Sequence, residues 1–205
     1  MSDAATAGRP LVARRRGLSL VALALALAGC GGGGGSSGPL DTYDLQAARP
    51  GRAHPMRAQV RVAEPFASLD LDSDRILVHT RSQQMAVLAG AKWPDRLPLI
   101  VRARLIQSFQ NAGLAGQVGG NPAAPANYIL DLDIRKFELD AARSRVEISV
   151  AAKLVPTSLD FAAAEEVFTA EAPVASTAPA TVTAAMDGAL SSVMKRIVAF
   201  VATRL

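Results

Sequence analysis

Apolar residues recur along this chain in two periods, and the switches between them outline the folded part. Gln59 to Val62 and Ile76 to Arg81 are short runs rich in β-branched residues with turn material between them, and they read as strands. In the second, Ile76, Val78 and Thr80 alternate with Leu77, His79 and Arg81, and Met85 to Leu88 fits a further short strand. From Asp95 the period lengthens. Leu97, Ile100, Val101, Leu105, Phe109 and Ala112 fall on one face of a helix. Asp95 is the expected N-cap, Pro98 lies in the first turn where its missing N–H costs nothing, and Gly113 is the expected stop.

Period two returns in the second half. Along Asn127 to Asp140, Tyr128, Leu130, Leu132 and Ile134 share one face while Asp131, Asp133 and Arg135 share the other. The apolar parity then passes to Phe137 and Leu139, which requires a bulge or a change of covered face near Arg135–Lys136. Val146, Ile148, Val150, Ala152 and Leu154 form the next alternating set, and the short Asp140 to Ser144 connection predicts an antiparallel hairpin. Glu166 to Ala172 reads as the third strand of this meander. Over the last 25 residues Val182, Met186, Ala189, Val193, Ile197 and Phe200 restore a helical stripe, suited to lying on the sheet. The pattern predicts one α/β (α+β) domain: a mixed sheet with an antiparallel C-terminal meander, packed by two main helices. Leu105, Phe109, Leu132 and Ile148 are its expected core.

The N-terminus follows other rules. Arg14, Arg15 and Arg16 precede Leu18 to Ala28, an apolar and small-residue run of 11 residues. As a helix it would span about 16 Å, too short for a bilayer core and right for a signal peptide. Leu27-Ala28-Gly29-Cys30 closes it with the chain's only cysteine and matches the lipobox of bacterial lipoproteins. In that reading residues 1–29 are removed, Cys30 is acylated, 30–39 form a Gly/Ser tether reaching about 15–18 Å, and 40–205 fold. Without residues 1–29 the charge falls from +4 to +1, so the basic pI does not point to nucleic acid. Acylation of Cys30 leaves no thiol for a disulfide.

Candidate chemistry is sparse. His54 and His79 are the only histidines, no G-x-S-x-G or H-E-x-x-H motif occurs, and the glycine run lacks a G-K-S/T ending. Asp70, Asp72 and Asp74 resemble the opening of a calcium loop, yet its sixth and twelfth positions hold Arg75 and Arg81 instead of glycine and glutamate. Asp131 and Asp133 could mimic an acid–base pair, and solvation on a strand face explains them equally well. The expectation is a protein without catalytic residues, metal or cofactor.

The order of these features resembles the ABC-type transport auxiliary lipoproteins. The residues that carry it are the lipobox, Tyr43-Asp44-Leu45, Val60-Arg61-Val62-Ala63-Glu64-Pro65, Leu71-Asp72-Ser73-Asp74-Arg75-Ile76-Leu77-Val78, Trp93-Pro94-Asp95-Arg96-Leu97-Pro98, and Tyr128-Ile129-Leu130-Asp131-Leu132 leading to Phe137. The resemblance implies a lipid-anchored periplasmic adaptor with a domain similar to the N-terminal domain of TolB. Its implied partners are an ABC transporter permease/ATPase complex and a mammalian-cell-entry-type substrate-binding protein, moving lipids or hydrophobic compounds across the envelope. Self-association is left open, as are a lipid-binding carrier and an envelope assembly or integrity factor. Gly31 follows Cys30 where an aspartate would mark inner-membrane retention, so the outer membrane is expected over the inner. Trp93 is either a core plug or, with Asp95, a partner contact.

Overall fold

The computed structural model describes residues 39–80, 84–158 and 161–205. The predicted signal peptide, Cys30 and most of the tether lie outside the described residues. Element order is β1 (Asp41–Thr42), β2 (Val60–Val62), β3 (Phe66–Ala67), β4 (Arg75–His79), β5 (Met85–Lys92), α1 (Leu97–Asn111), β6 (Val118–Gly119), β7 (Tyr128–Asp140), β8 (Arg145–Pro156), β9 (Ala164–Pro173) and α2 (Pro179–Ala202). Every sequence-predicted strand and helix is present, and the architecture is the predicted α+β sheet-and-two-helix domain.

The 13-residue strand β7 is the spine of one mixed sheet. One edge pairs antiparallel with β8 over its full length, and β8 in turn pairs with β9. The other edge is shared by three short parallel strands in succession: β2 against Tyr128–Leu130, β3 against Asp133–Ile134, and β4 against Glu138–Asp140. Beyond these, β6 pairs with β2, β5 with β4, and β1 with β5. The parity change expected near Arg135–Lys136 is a bulge: the β7–β8 register shifts between Ile134 and Lys136. One extra residue returns Phe137 and Leu139 to the core face, and both are buried.

Leu130, Leu132, Ile134, Ile148, Val150 and Leu154 of the sheet join Leu105 and Phe109 of α1 and Val182 to Val201 of α2 in one apolar cluster. All four residues expected at its centre, Leu105, Phe109, Leu132 and Ile148, are 0–1% exposed. α2 runs along β8 and β9, where Phe168 meets Phe200 edge-on at 5.6 Å. The opposite face of the meander is polar: Asp131 is exposed and Arg135 donates to Asp133 at 3.1 Å. On that face Glu138 stands directly across from Glu147, and both are at least nine-tenths buried with Asp140 close by. Lys136, Arg143 and Arg145 surround Glu147 at 2.9–3.5 Å and offset the like-charge pairing.

Asp95 is not the N-cap of α1. The cap is Arg96, at φ −56° and ψ 132°, and no side chain bonds to the first turn. The cap became unnecessary because the donors were already satisfied. Leu97 N–H donates to the Ser73 carbonyl at 3.0 Å, Pro98 has no N–H, and Leu99 N–H donates to the Arg96 carbonyl. Asp95 instead accepts from its neighbour's amide, Arg96 N–H, at 2.7 Å. The other end follows expectation. Gly113 sits at φ +87° and donates to Gln110 O, while Leu114 donates to Phe109 O, the paired bonds of a Schellman ending.

Candidate functional site

Two segments distant in sequence, Asp72-Ser73-Asp74 and Trp93 to Leu97, come together as one corner. Backbone bonds stitch them: Trp93 N–H donates to Asp74 O at 2.8 Å and Leu97 N–H to Ser73 O at 3.0 Å. Ser73 Oγ donates to Asp70 O and accepts from Arg75 N–H, which holds the turn before β4. Arg96 reaches back across the seam. Its Nε and Nη2 bind the two carboxylate oxygens of Asp72 at 2.7 and 2.8 Å, and Nη2 also meets Glu64 at 3.3 Å. Asp72, followed by Glu64, raises the Arg96 pKa further above its ordinary value. Lys92 lies 3.6 Å from Asp74. Asp72 and Asp74 are thus the acidic half of an ion-paired turn to which Asp70 lends only its carbonyl, and the sequence reading missed the partner Arg96. The bidentate fork that arginine offers a carboxylate was the available signal.

Trp93 is 1% exposed and packs edge-on to Phe137 at 5.9 Å. It plugs the corner from inside, so its ring is unavailable as a partner anchor. Asp95 is exposed beside it, with Arg96 and Glu64. The corner therefore has a buried aromatic root and a charged, solvent-facing rim. The remaining candidates do not converge. His79, at the end of β4, lies 3.9 Å from Glu138, whereas His54 belongs to the segment beside α2. Among the described residues no group of three or more His, Cys, Asp or Glu is placed to hold a metal. Among them, too, no helix is long and apolar enough to cross a membrane.

The fold and the corner can be set beside known proteins. The model of the ABC-type transport auxiliary lipoprotein component family matches residues 41–198, and the chain belongs to that family. The match runs through both halves of the corner. It is a family of auxiliary transport components, not a known enzyme family. A Bradyrhizobium diazoefficiens protein, described only as uncharacterized, is 30% identical over 161 residues, which are 77% of this chain and 43% of the relative. The chain thus spans less than half the length of that relative. A solved Xanthomonas campestris protein aligns at TM-score 0.69 and 27% identity, over 80% of this chain and 95% of its own. A second solved protein, also uncharacterized, aligns at TM-score 0.61 with 15% identity over 82% and 99% of the two chains, and shares the fold.

Proposed function

We propose that this chain is a non-catalytic adaptor, lipid-anchored through Cys30 at the periplasmic face of the envelope. It serves an ABC transporter whose permease and ATPase work with a mammalian-cell-entry-type substrate-binding protein on lipids or other hydrophobic compounds. The observation that carries this reading is the corner. The two family segments build a rigid turn over a tryptophan plug and present Asp95, Arg96 and Glu64 outward, the design of a docking surface rather than of a reactive site. The outer membrane is the proposed location, from Gly31 after the acylated cysteine.

Mild cross-linking of intact envelopes followed by affinity purification tests the proposal. The permease, the ATPase or the substrate-binding protein should be recovered with the wild-type chain. Asp95→Ala should lower that recovery several-fold without changing thermal unfolding, because Asp95 is exposed and among the described residues its side chain bonds only to its neighbour's amide. Recovery of outer-membrane assembly proteins, with no transport component, would overturn the assignment in favour of an envelope assembly factor.

A further inference from the structure

Residues 49–54 and the C-terminal half of α2 line an open groove of about 460 Å³. Arg49, Arg52, His54 and Lys195 line it together with Val198, Ala199 and Ala202, and no acidic side chain does. We propose that this groove binds the phosphate-bearing headgroup of an anionic phospholipid, with the glycerol and nearest methylenes on the Val198–Ala199–Ala202 floor.

Charge accounting carries the proposal first. Arg96, Arg104, Arg135, Arg143, Arg145, Lys92, Lys136, Lys153 and Arg204 all sit within 4.0 Å of a carboxylate. Arg49, Arg52 and Lys195 have neither an ion pair nor a side-chain hydrogen bond among the described residues; Arg57 and Arg75 share that state but stand apart, whereas these three face one concavity. Unpaired cations around a groove without acids favour an anion.

The groove is also built before any ligand arrives. Its 49–54 wall is pinned on both sides: Ala48 N–H donates to Ser108 Oγ at 2.9 Å, Asn111 Nδ2 to Ala48 O at 2.8 Å, and Ala53 N–H to Ala112 O at 3.0 Å. Pro50 stiffens the span between the pins. The C-terminal end of a helix ordinarily repels anions through its free carbonyls. Here Thr203 Oγ1 donates to Ala199 O and Arg204 Nη1 to Phe200 O, so two of those acceptors are already engaged.

The apolar floor separates this site from one for a free anion. Val198, Ala199 and Ala202 offer nothing to an inorganic phosphate, whereas an amphiphile uses rim and floor together. The volume lies within the range of small-molecule sites, so a headgroup fits while the acyl tails remain outside. This inference does not depend on the adaptor reading, because lipid labelling and partner recovery are scored separately.

The test uses the full chain in a non-ionic detergent. The probe is a phosphatidylglycerol analogue with a diazirine close to its glycerol, and labelled peptides are located by mass spectrometry. Labelling should fall on residues 49–54 and 195–203. Short-chain phosphatidylglycerol should displace the probe at least tenfold better than short-chain phosphatidylcholine. Neutralising the three cations together (R49Q, R52Q and K195Q) should cut labelling roughly 100-fold at unchanged thermal unfolding, from about fivefold per charge. If that variant fails to fold, the wild-type chain decides instead: labelling should fall steeply between 50 and 500 mM salt (about 14 to 4 Å of screening length). Displacement by inorganic phosphate or by an acidic peptide as effective as the lipid would overturn the assignment. So would labelling elsewhere, or labelling insensitive both to the triple change and to salt.

Discussion

Gly113 and Trp93 show how much single positions decide in this domain. Gly113 occupies the left-handed region at φ +87°, where an L side chain is disfavoured by about 1–2 kcal/mol. Space is not the obstacle, since an added Cβ would meet Arg52 Cγ no closer than 3.7 Å. Gly113→Ala should therefore lower stability in urea by about that amount and leave the fold intact; an unchanged midpoint would show that α1 can end another way. Trp93→Ala empties a fully buried indole against Phe137 and should cost about 3–5 kcal/mol. If that variant instead kept its stability and lost only its partners, Trp93 would be a contact residue after all. Glycine's role was legible in the sequence because a helical stripe stopped at it. Asp95's was not: the sequence shows an aspartate before a helix, but not that Ser73, more than twenty residues upstream, supplies the acceptor for the first amide.

The long strands and helices were legible because each repeats its period many times. β7, β8, α1 and α2 all follow from their apolar spacing, β9 follows as the third strand of the meander, and even the β7 bulge announced itself as a parity change. β1, β3 and β6 have two residues each, which contain no period, and their pairing is set by the neighbours they meet. The sequence was equally silent about Glu138 facing Glu147, since cross-strand partners depend on register. That pairing predicts a pH dependence. Hydrogen bonding to Lys136 is the largest cause that lowers the Glu147 pKa, and the same bond raises that of Lys136. A lowered carboxylate contributes stability that is present above its unfolded value of about 4.3 and is lost as pH falls through its native value. The raised lysine contributes below about 10.4 and loses this as pH rises through its native value. Glu147→Gln should thus cost about 1–3 kcal/mol at pH 7 and much less near pH 3. Equal costs at both pH values would remove the ionic explanation.

At the scale of the whole molecule, α2 and the long meander strands make one apolar cluster with α1, so residues 40–205 should unfold as a unit. Anchoring and folding should consequently separate. Cys30→Ser should abolish incorporation of a fatty-acid analogue and leave the unfolding transition of the domain unchanged; persistent labelling would refute acylation at Cys30. The fold class and family were readable from the chain because motif and period agree along most of its length. The groove beside α2 was not, because Arg49 and Arg52 lie in a stretch without periodicity and meet Lys195 only after about 140 intervening residues have folded.

The spine strand also sets a schedule. β3 pairs only with β7 among the described residues, and β2 otherwise meets just two residues of β6. A chain emerging N-terminus first therefore displays these edges before their template exists. The roughly 80 residues from Val62 to Asp140 take about 4–16 s to appear at 5–20 residues per second. For those seconds β2 and β3 are β-prone segments that lack their main partner, while β4 and β5 can already close on each other as a hairpin and wait with one edge open for the strand that completes the sheet.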